Sequence, residues 1–149
     1  SRTNPQYNLD TLPAALGDAG IGYAHLARLG GLRGRTDLPQ GPSPNTAWRN
    51  TSFRNYADYA LTTPFREGLA ELEGLAALEP VAIMCAEAVW WRCPRRIVAD
   101  YLLVAGIPVF DIVPPAPPEP HELTPFAIPQ ADGTIYYQDA PVDTGDVDG

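Results

Sequence analysis

The chain has 149 residues, 45% of them hydrophobic, which allows one packed domain and leaves no room for two ordinary ones. No run of ~18 apolar residues occurs and no charged-then-apolar leader opens the chain, so it reads as cytoplasmic with no membrane span. Two Cys and two His argue against a disulfide scaffold, and a single four-ligand zinc site would consume all of them. No metal or cofactor is assigned.

Charge is divided unevenly. Residues 1–66 hold seven Arg against four Asp, a balance of +3, whereas residues 67–149 hold three Arg against fourteen acids, a balance of −11. The total of −8 repels a phosphate backbone and argues against broad nucleic-acid binding, while the arginine-rich half retains the capacity to hold a small anion. All ten basic residues are Arg. A uniform bias of that kind is more simply a matter of codon composition than of anion recognition.

In chain order, Asp10 is placed to cap a helix with Pro13 in its first turn, Leu12, Leu16 and Ala19 inward, and Gly20 as the stop. Ile21–Leu26 reads as a short strand, followed by a long Arg-, Pro- and Gly-rich segment to Asn50 that is either mobile or functional. Phe53–Leu61 reads as a helix. Thr63 then caps a second one whose Phe65, Leu69, Leu72 and Ala76 form one apolar stripe. Val81–Cys85 is a continuous apolar run, as in a strand covered on both faces. Ile97, Val98, Tyr101, Leu102 and Ala105 form a third stripe closed by Gly106, and Val109–Ile112 reads as the next strand.

Strand, helix, strand, helix, strand predicts an α/β fold, a three-layer Rossmann-like parallel sheet with helices on both faces. Its domain spans residues 1–113. Residues 114–120, five of them proline, form a stiff connector, and residues 121–138 a C-terminal hairpin turning at Asp132-Gly133 and packing on the domain. Pro129 restricts one arm to an edge. Residues 139–149, with four Asp and no base, read as a disordered acidic tail.

Ligands of open parallel sheets collect beyond the carboxyl ends of the strands. There Cys85-Ala86-Glu87 leaves one strand, Trp90-Trp91-Arg92 follows, and Cys93-Pro94-Arg95-Arg96 opens a helix. Pro94 suits the first helical position, which makes Cys93 the cap, beside unpaired N–H groups and the positive end of the helix dipole. These features favour a thiolate at Cys93 with an anion nearby. Cys85, ending an apolar strand, reads first as packing. The position six after Cys85 is Trp91 rather than Arg, which departs from the phosphatase-type cysteine loop. Glu87 is a candidate general base or an exposed loop carboxylate.

Trp48, Phe53, Tyr56 and Tyr59 interleave with Arg49 and Arg54 and could clamp a nucleotide, although aromatics at helical spacing are more usually core. His25, in apolar surroundings, reads as a hydrogen-bonded structural residue. Asp100 reads as a surface partner of Arg96 four residues before it, a contact of ~0.3 kcal/mol.

Taken together, Ser1-Arg2-Thr3-Asn4-Pro5-Gln6-Tyr7, Gly22–Leu26 with Leu29-Gly30-Gly31, Trp48-Arg49-Asn50, Phe53-Arg54, Tyr56–Tyr59, Met84-Cys85-Ala86-Glu87 with Cys93 and Arg95, and Ile97–Asp100 resemble, in that order, the bacterial domain-of-unknown-function family 488. The resemblance covers residues 1 to about 128 and implies a single cytosolic α/β domain, Rossmann-like in layering, without naming a reaction. Members show Cys-His-Arg where this chain has Cys93-Pro94-Arg95, so proton transfer or metal ligation by that histidine is unavailable here. Members also begin with a further strand, helix and strand, which implies an N-terminal truncation before Ser1 that leaves sheet edges unpaired.

The expected function is binding of an anionic small molecule, a nucleotide or phosphorylated metabolite, over the Cys85–Arg96 loop, with thiol or carboxylate assistance from Cys85, Glu87 or Cys93. Arg2, Arg54, Arg92 and Arg95 would neutralise the anion, Asn4 and the Gly30-Gly31 pair would border it, and Trp48 and Tyr56 would wall the pocket. The alternative is a non-catalytic binding or adaptor module, or a degenerate family member. Oligomeric state is left open.

Overall fold

The structure, a computed structural model, describes residues 5–85 and 89–139. Helix α1 spans Leu12–Asp18. Thr11 rather than Asp10 holds its cap position, its hydroxyl donating to the Pro5 carbonyl at 3.0 Å, and Gly20 ends the segment at φ +76°. Leu12 and Leu16 are half-buried but Ala19 is exposed. Helix α2, Thr51–Tyr59, starts two residues earlier than the apolar pattern indicated. Asn50 Oδ1 accepts the Ser52 and Phe53 N–H groups at 2.8 and 3.3 Å and so satisfies two orphan donors. Helix α3, Thr63–Leu78, has Pro64 in its first turn and buries Phe65 and Leu72, with Leu69 half-buried and Ala76 in solvent. Helix α4, Arg95–Val104, buries Ile97, Val98, Ala99, Asp100, Tyr101 and Leu102, and Gly106 at φ +84° closes it.

The described strands are short and antiparallel. Strand β1 (Phe110–Asp111) pairs with β2 (Glu119–Pro120), and β3 (Ala127–Pro129) pairs with β4 (Ile135–Tyr137). The expected three-layer Rossmann-like parallel sheet is therefore not what the described residues form. Residues 21–26 and 81–85 run without a ladder, and Ile21, Val81 and Met84 are 55%, 43% and 49% exposed. An apolar run predicts a doubly covered strand only where neighbouring strands supply hydrogen bonds and helices supply cover. Here the proline segment does not run straight on as a connector. It turns at Val113–Ala116 and brings β2 back onto β1, so the partner of β1 is local and antiparallel.

The C-terminal hairpin is as the sequence indicates. Asp132 accepts the Thr134 N–H and hydroxyl at 3.0 and 2.6 Å, Gly133 takes φ +88°, and Pro129 stands exposed opposite Ile135. Ile135 and Tyr137 enter the helical core beside Trp48, Tyr56, Phe65, Ile97 and Tyr101. Phe65 anchors an edge-to-face cluster, with ring centroids 5.9 Å from Tyr56 and Tyr59 and 5.0 Å from Tyr101. The buried amide of Asn45 fastens the long loop into this core, donating to Asp58 Oδ1 at 2.7 Å and accepting the Tyr137 N–H at 2.9 Å. Residues 140–149 of the acidic tail lie outside the described residues.

Candidate functional site

Cys93 is extended (φ −136°, ψ 147°), and Pro94 at φ −54°, ψ −11° already follows the path of α4. This change of direction carries the Cys93 sulfur back over the first N–H groups of the helix. Cys93 Sγ accepts the Arg95 backbone N–H and the Arg95 Nε–H, both at 3.4 Å, while Pro94 rather than the expected Cys93 holds the cap position of α4. Cys85 Sγ lies 2.9 Å from it, and no disulfide joins the two. The Cys85 S–H hydrogen bond is the largest influence lowering the Cys93 thiol, opposed by burial and aided by the Arg95 N–H groups and charge, and it brings the thiol down to about 6. Cys93 is 6% exposed, and Cys85 is the more open of the pair.

The glycine pair lies against this helix start. A Cβ on Gly31 would sit 3.4 Å from Pro94 Cγ, an ordinary close contact. Tyr56, fully buried, donates its hydroxyl to the Leu29 carbonyl at 2.7 Å, and burial, more than anything else, pushes its own ionisation well above the ordinary range. Contacts thus link Gly31 to Pro94, Cys93 to Cys85 and Arg95, and Tyr56 to Leu29 beside the glycine pair, and Arg92 stands exposed in the 3-10 turn Trp90–Arg92 just before Cys93. Trp48 is elsewhere, stacked on Phe53 at 4.8 Å and edge-on to Phe126 at 4.8 Å within the core. Arg54 is half-buried on α2, outside the set of contacts that gathers the sulfurs. Arg2, Asn4 and Glu87 lie outside the described residues. His25 is exposed, not enclosed.

Two surface cavities flank this region without including the sulfurs. One, of about 700 Å³, lies beside Arg33, Asp37, Tyr59 and Pro64, where the Arg33 guanidinium covers the Tyr59 ring at 3.8 Å. The other, of about 350 Å³, lies between Trp90, Trp91 and the carboxylates of Asp111, Glu119 and Glu122.

Beneath the second cavity is a buried polar centre that the sequence reading missed. Asp100 is not a surface partner of Arg96 but fully buried. It meets His121 Nε2 at 2.9 Å, accepts the Thr124 N–H at 3.2 Å, and accepts the Tyr137 hydroxyl at 2.9 Å. Asp111 meets His121 Nδ1 at 2.8 Å. Ionised carboxylates only accept, so an imidazole held between two of them donates from both nitrogens and is the cation. Burial works against that charge, but the two carboxylates outweigh it and hold the His121 pKa above 6.5. The available signal was one histidine amid Asp111, Glu119 and Glu122 in a chain that has only two.

The described residues thus define a mixed α/β protein with paired thiols at a helix start and, apart from them, an Asp–His–Asp centre. The family model for the domain of unknown function DUF488 matches residues 1–102, and the chain belongs to that family. The match ends within α4, before β1 and the hairpin, short of the expected extent to about 128. No curated protein and no solved structure matches the chain. Among the described residues no helix is long and apolar enough to cross a membrane.

Proposed function

We propose that this chain carries out thiol chemistry on a small anion-bearing substrate, with the Cys93 thiolate as nucleophile. The observation that carries the reading is the convergence of the Cys85 S–H and two Arg95 N–H groups on one sulfur. Three donors stabilise charge on that atom, and an activated cysteine needs such a lowered pKa. Arg92, Arg95 and the open end of the α4 dipole supply positive potential in a chain that is acidic overall. The proximity of Gly31 to Pro94 keeps the loop backbone close to the helix start. A non-catalytic binding role is the second reading, favoured by Pro94 at the family's histidine position and by Trp91, 45% exposed beside the proline segment.

Carboxymethylation of Cys93 by iodoacetate, followed by peptide mass mapping across pH, separates the two. The expected midpoint is near 6, and Arg95→Ala raises it and slows iodoacetate more than neutral iodoacetamide. A midpoint at the ordinary thiol value of about 8.5 overturns the nucleophile reading and leaves the binding role.

A further inference from the structure

We propose that Cys85 and Cys93 form a dithiol–disulfide couple whose co-reactant is a small disulfide bearing carboxylates; this rests on the reading of Cys93 as nucleophile and names its substrate class. The contact between the sulfurs is the starting point. At 2.9 Å they are within ~1 Å of the 2.03–2.05 Å length of a disulfide, so joining them requires a small side-chain movement rather than a refolding of the loop. Cys85 follows the segment 81–84, which pairs in no ladder, and Cys93 lies two residues before α4, so the contact joins positions eight residues apart. Any hydrogen-bond donor at position 85 could stabilise the Cys93 thiolate, but only a second thiol can resolve a mixed disulfide on it. A redox couple needs one, to displace the bound half of the substrate.

The steps balance. The Cys93 thiolate attacks one sulfur of R–S–S–R, forming a Cys93–S–S–R mixed disulfide and releasing R–S⁻. Cys85, losing its proton to the departing thiolate or to water, then attacks the Cys93 sulfur. The Cys85–Cys93 bond forms and the second R–S⁻ leaves. Two protein thiols are oxidised and one external disulfide is reduced to two thiols, with no other oxidant required. The positive groups at this end of α4, Arg92 and Arg95, favour carboxylates on R and stabilise the leaving thiolate. Cys85 also has the more accessible sulfur, which suits the reverse step, attack by an external thiol on the finished bond.

The test uses the full chain, reduced and freed of reductant under argon, then exposed to glutathione disulfide or, as the cationic counterpart, cystamine. The expected product by intact mass is loss of two hydrogens, with a peptide pair joined through Cys85 and Cys93. Glutathione disulfide should react at least several-fold faster than cystamine. In Cys85→Ser the reaction stops at one glutathione on Cys93. Cys85→Ala repeats the test should the serine perturb the loop, and the wild-type mass shift needs no variant. A stable glutathione adduct on the wild-type chain, or disulfides only between two chains, overturns the couple. Equal rates for the two reagents overturn the carboxylate preference. In the same preparation, a low alkylation midpoint with no internal disulfide sinks the couple alone. A midpoint at the ordinary thiol value sinks the nucleophile reading instead.

Discussion

His121 is the residue whose protonation the fold most plainly requires, because Asp100 and Asp111 both depend on its N–H groups. Replacing it leaves Asp100 buried with a lost donor, and broken buried ion pairs typically cost ~3–5 kcal/mol. We expect His121→Asn to lower stability by about 3 kcal/mol at pH 6, read as a shift in the urea midpoint. The pH dependence has a defined sign. A folded pKa above the ordinary 6.5 means the native state keeps a proton that the unfolded chain releases. The stability from this site is complete below about 6.5 and is lost as pH rises through the higher folded value. The gap between wild type and His121→Asn should therefore narrow above neutrality, and a constant gap from pH 6 to 9 would refute the charged-imidazole assignment. Cys93 acts oppositely, since its thiol falls from 9.0 to about 6 and its contribution is lost as pH falls through the lower value. Comparison with the histidine variant, rather than wild type alone, removes that overlap.

At the scale of elements, helices were legible where an apolar stripe coincided with a stop or start residue. The stripe of Ile97, Val98, Tyr101 and Leu102 ends at Gly106, and the Asp132-Gly133 turn lies between β3 and β4. The hairpin strands were legible from their turn, but the expected parallel strands at residues 21–26 and 81–85 are absent among the described residues. Val81–Cys85 has the composition of one, yet the hydrogen bonds that would make it one depend on neighbours that no local window contains. Cys93 reads from sequence as the cap of α4 with Pro94 in the first helical position, whereas the structure puts Pro94 at the cap and sets Cys85 against the Cys93 sulfur, a contact that no local spacing signals. Asp100 was misread because spacing of four suggests Arg96, while burial turned it toward the hairpin. Gly68 carried no sequence signal at all. It lies where α3 crosses the 3-10 turn Ala27–Leu29, and a Cβ there would come within 2.8 Å of Arg28 Cβ and 3.2 Å of Leu29 Cδ2. In an open helix Gly→Ala stabilises by ~1 kcal/mol. Here the crowding should reverse the sign, with Gly68→Ala losing ~1–2 kcal/mol by thermal or urea unfolding. A stabilised variant would mean that the two elements separate easily.

Across the whole molecule, the family-matched stretch holds most of the core but not Ile135 and Tyr137, which complete it. It ends at residue 102, whereas Ile135 and Tyr137 are fully buried among the helices and Tyr101 accepts the Ile135 N–H at 3.1 Å. Ending the chain at Val113 would strip Asp100 of His121, Thr124 and Tyr137, and Asn45 of the Tyr137 N–H. We expect that truncated chain to lose cooperative unfolding and near-ultraviolet dichroism while keeping part of its helix signal, as loosely packed states do. A sharp, two-state transition in it would show that the hairpin is an accessory.

The bond from Tyr137 to Asn45 also has a temporal side. It joins positions 92 residues apart, so the Asn45 side-chain oxygen waits for synthesis of 92 further residues before it receives the Tyr137 N–H. Until then the early loop is held by its bonds to α2, among them the Asn45 amide on Asp58 and the Tyr56 hydroxyl on the Leu29 carbonyl. Closure of the core therefore comes late relative to synthesis of its helices, and any chaperone that attends the nascent polypeptide before the hairpin is made meets an interior still open.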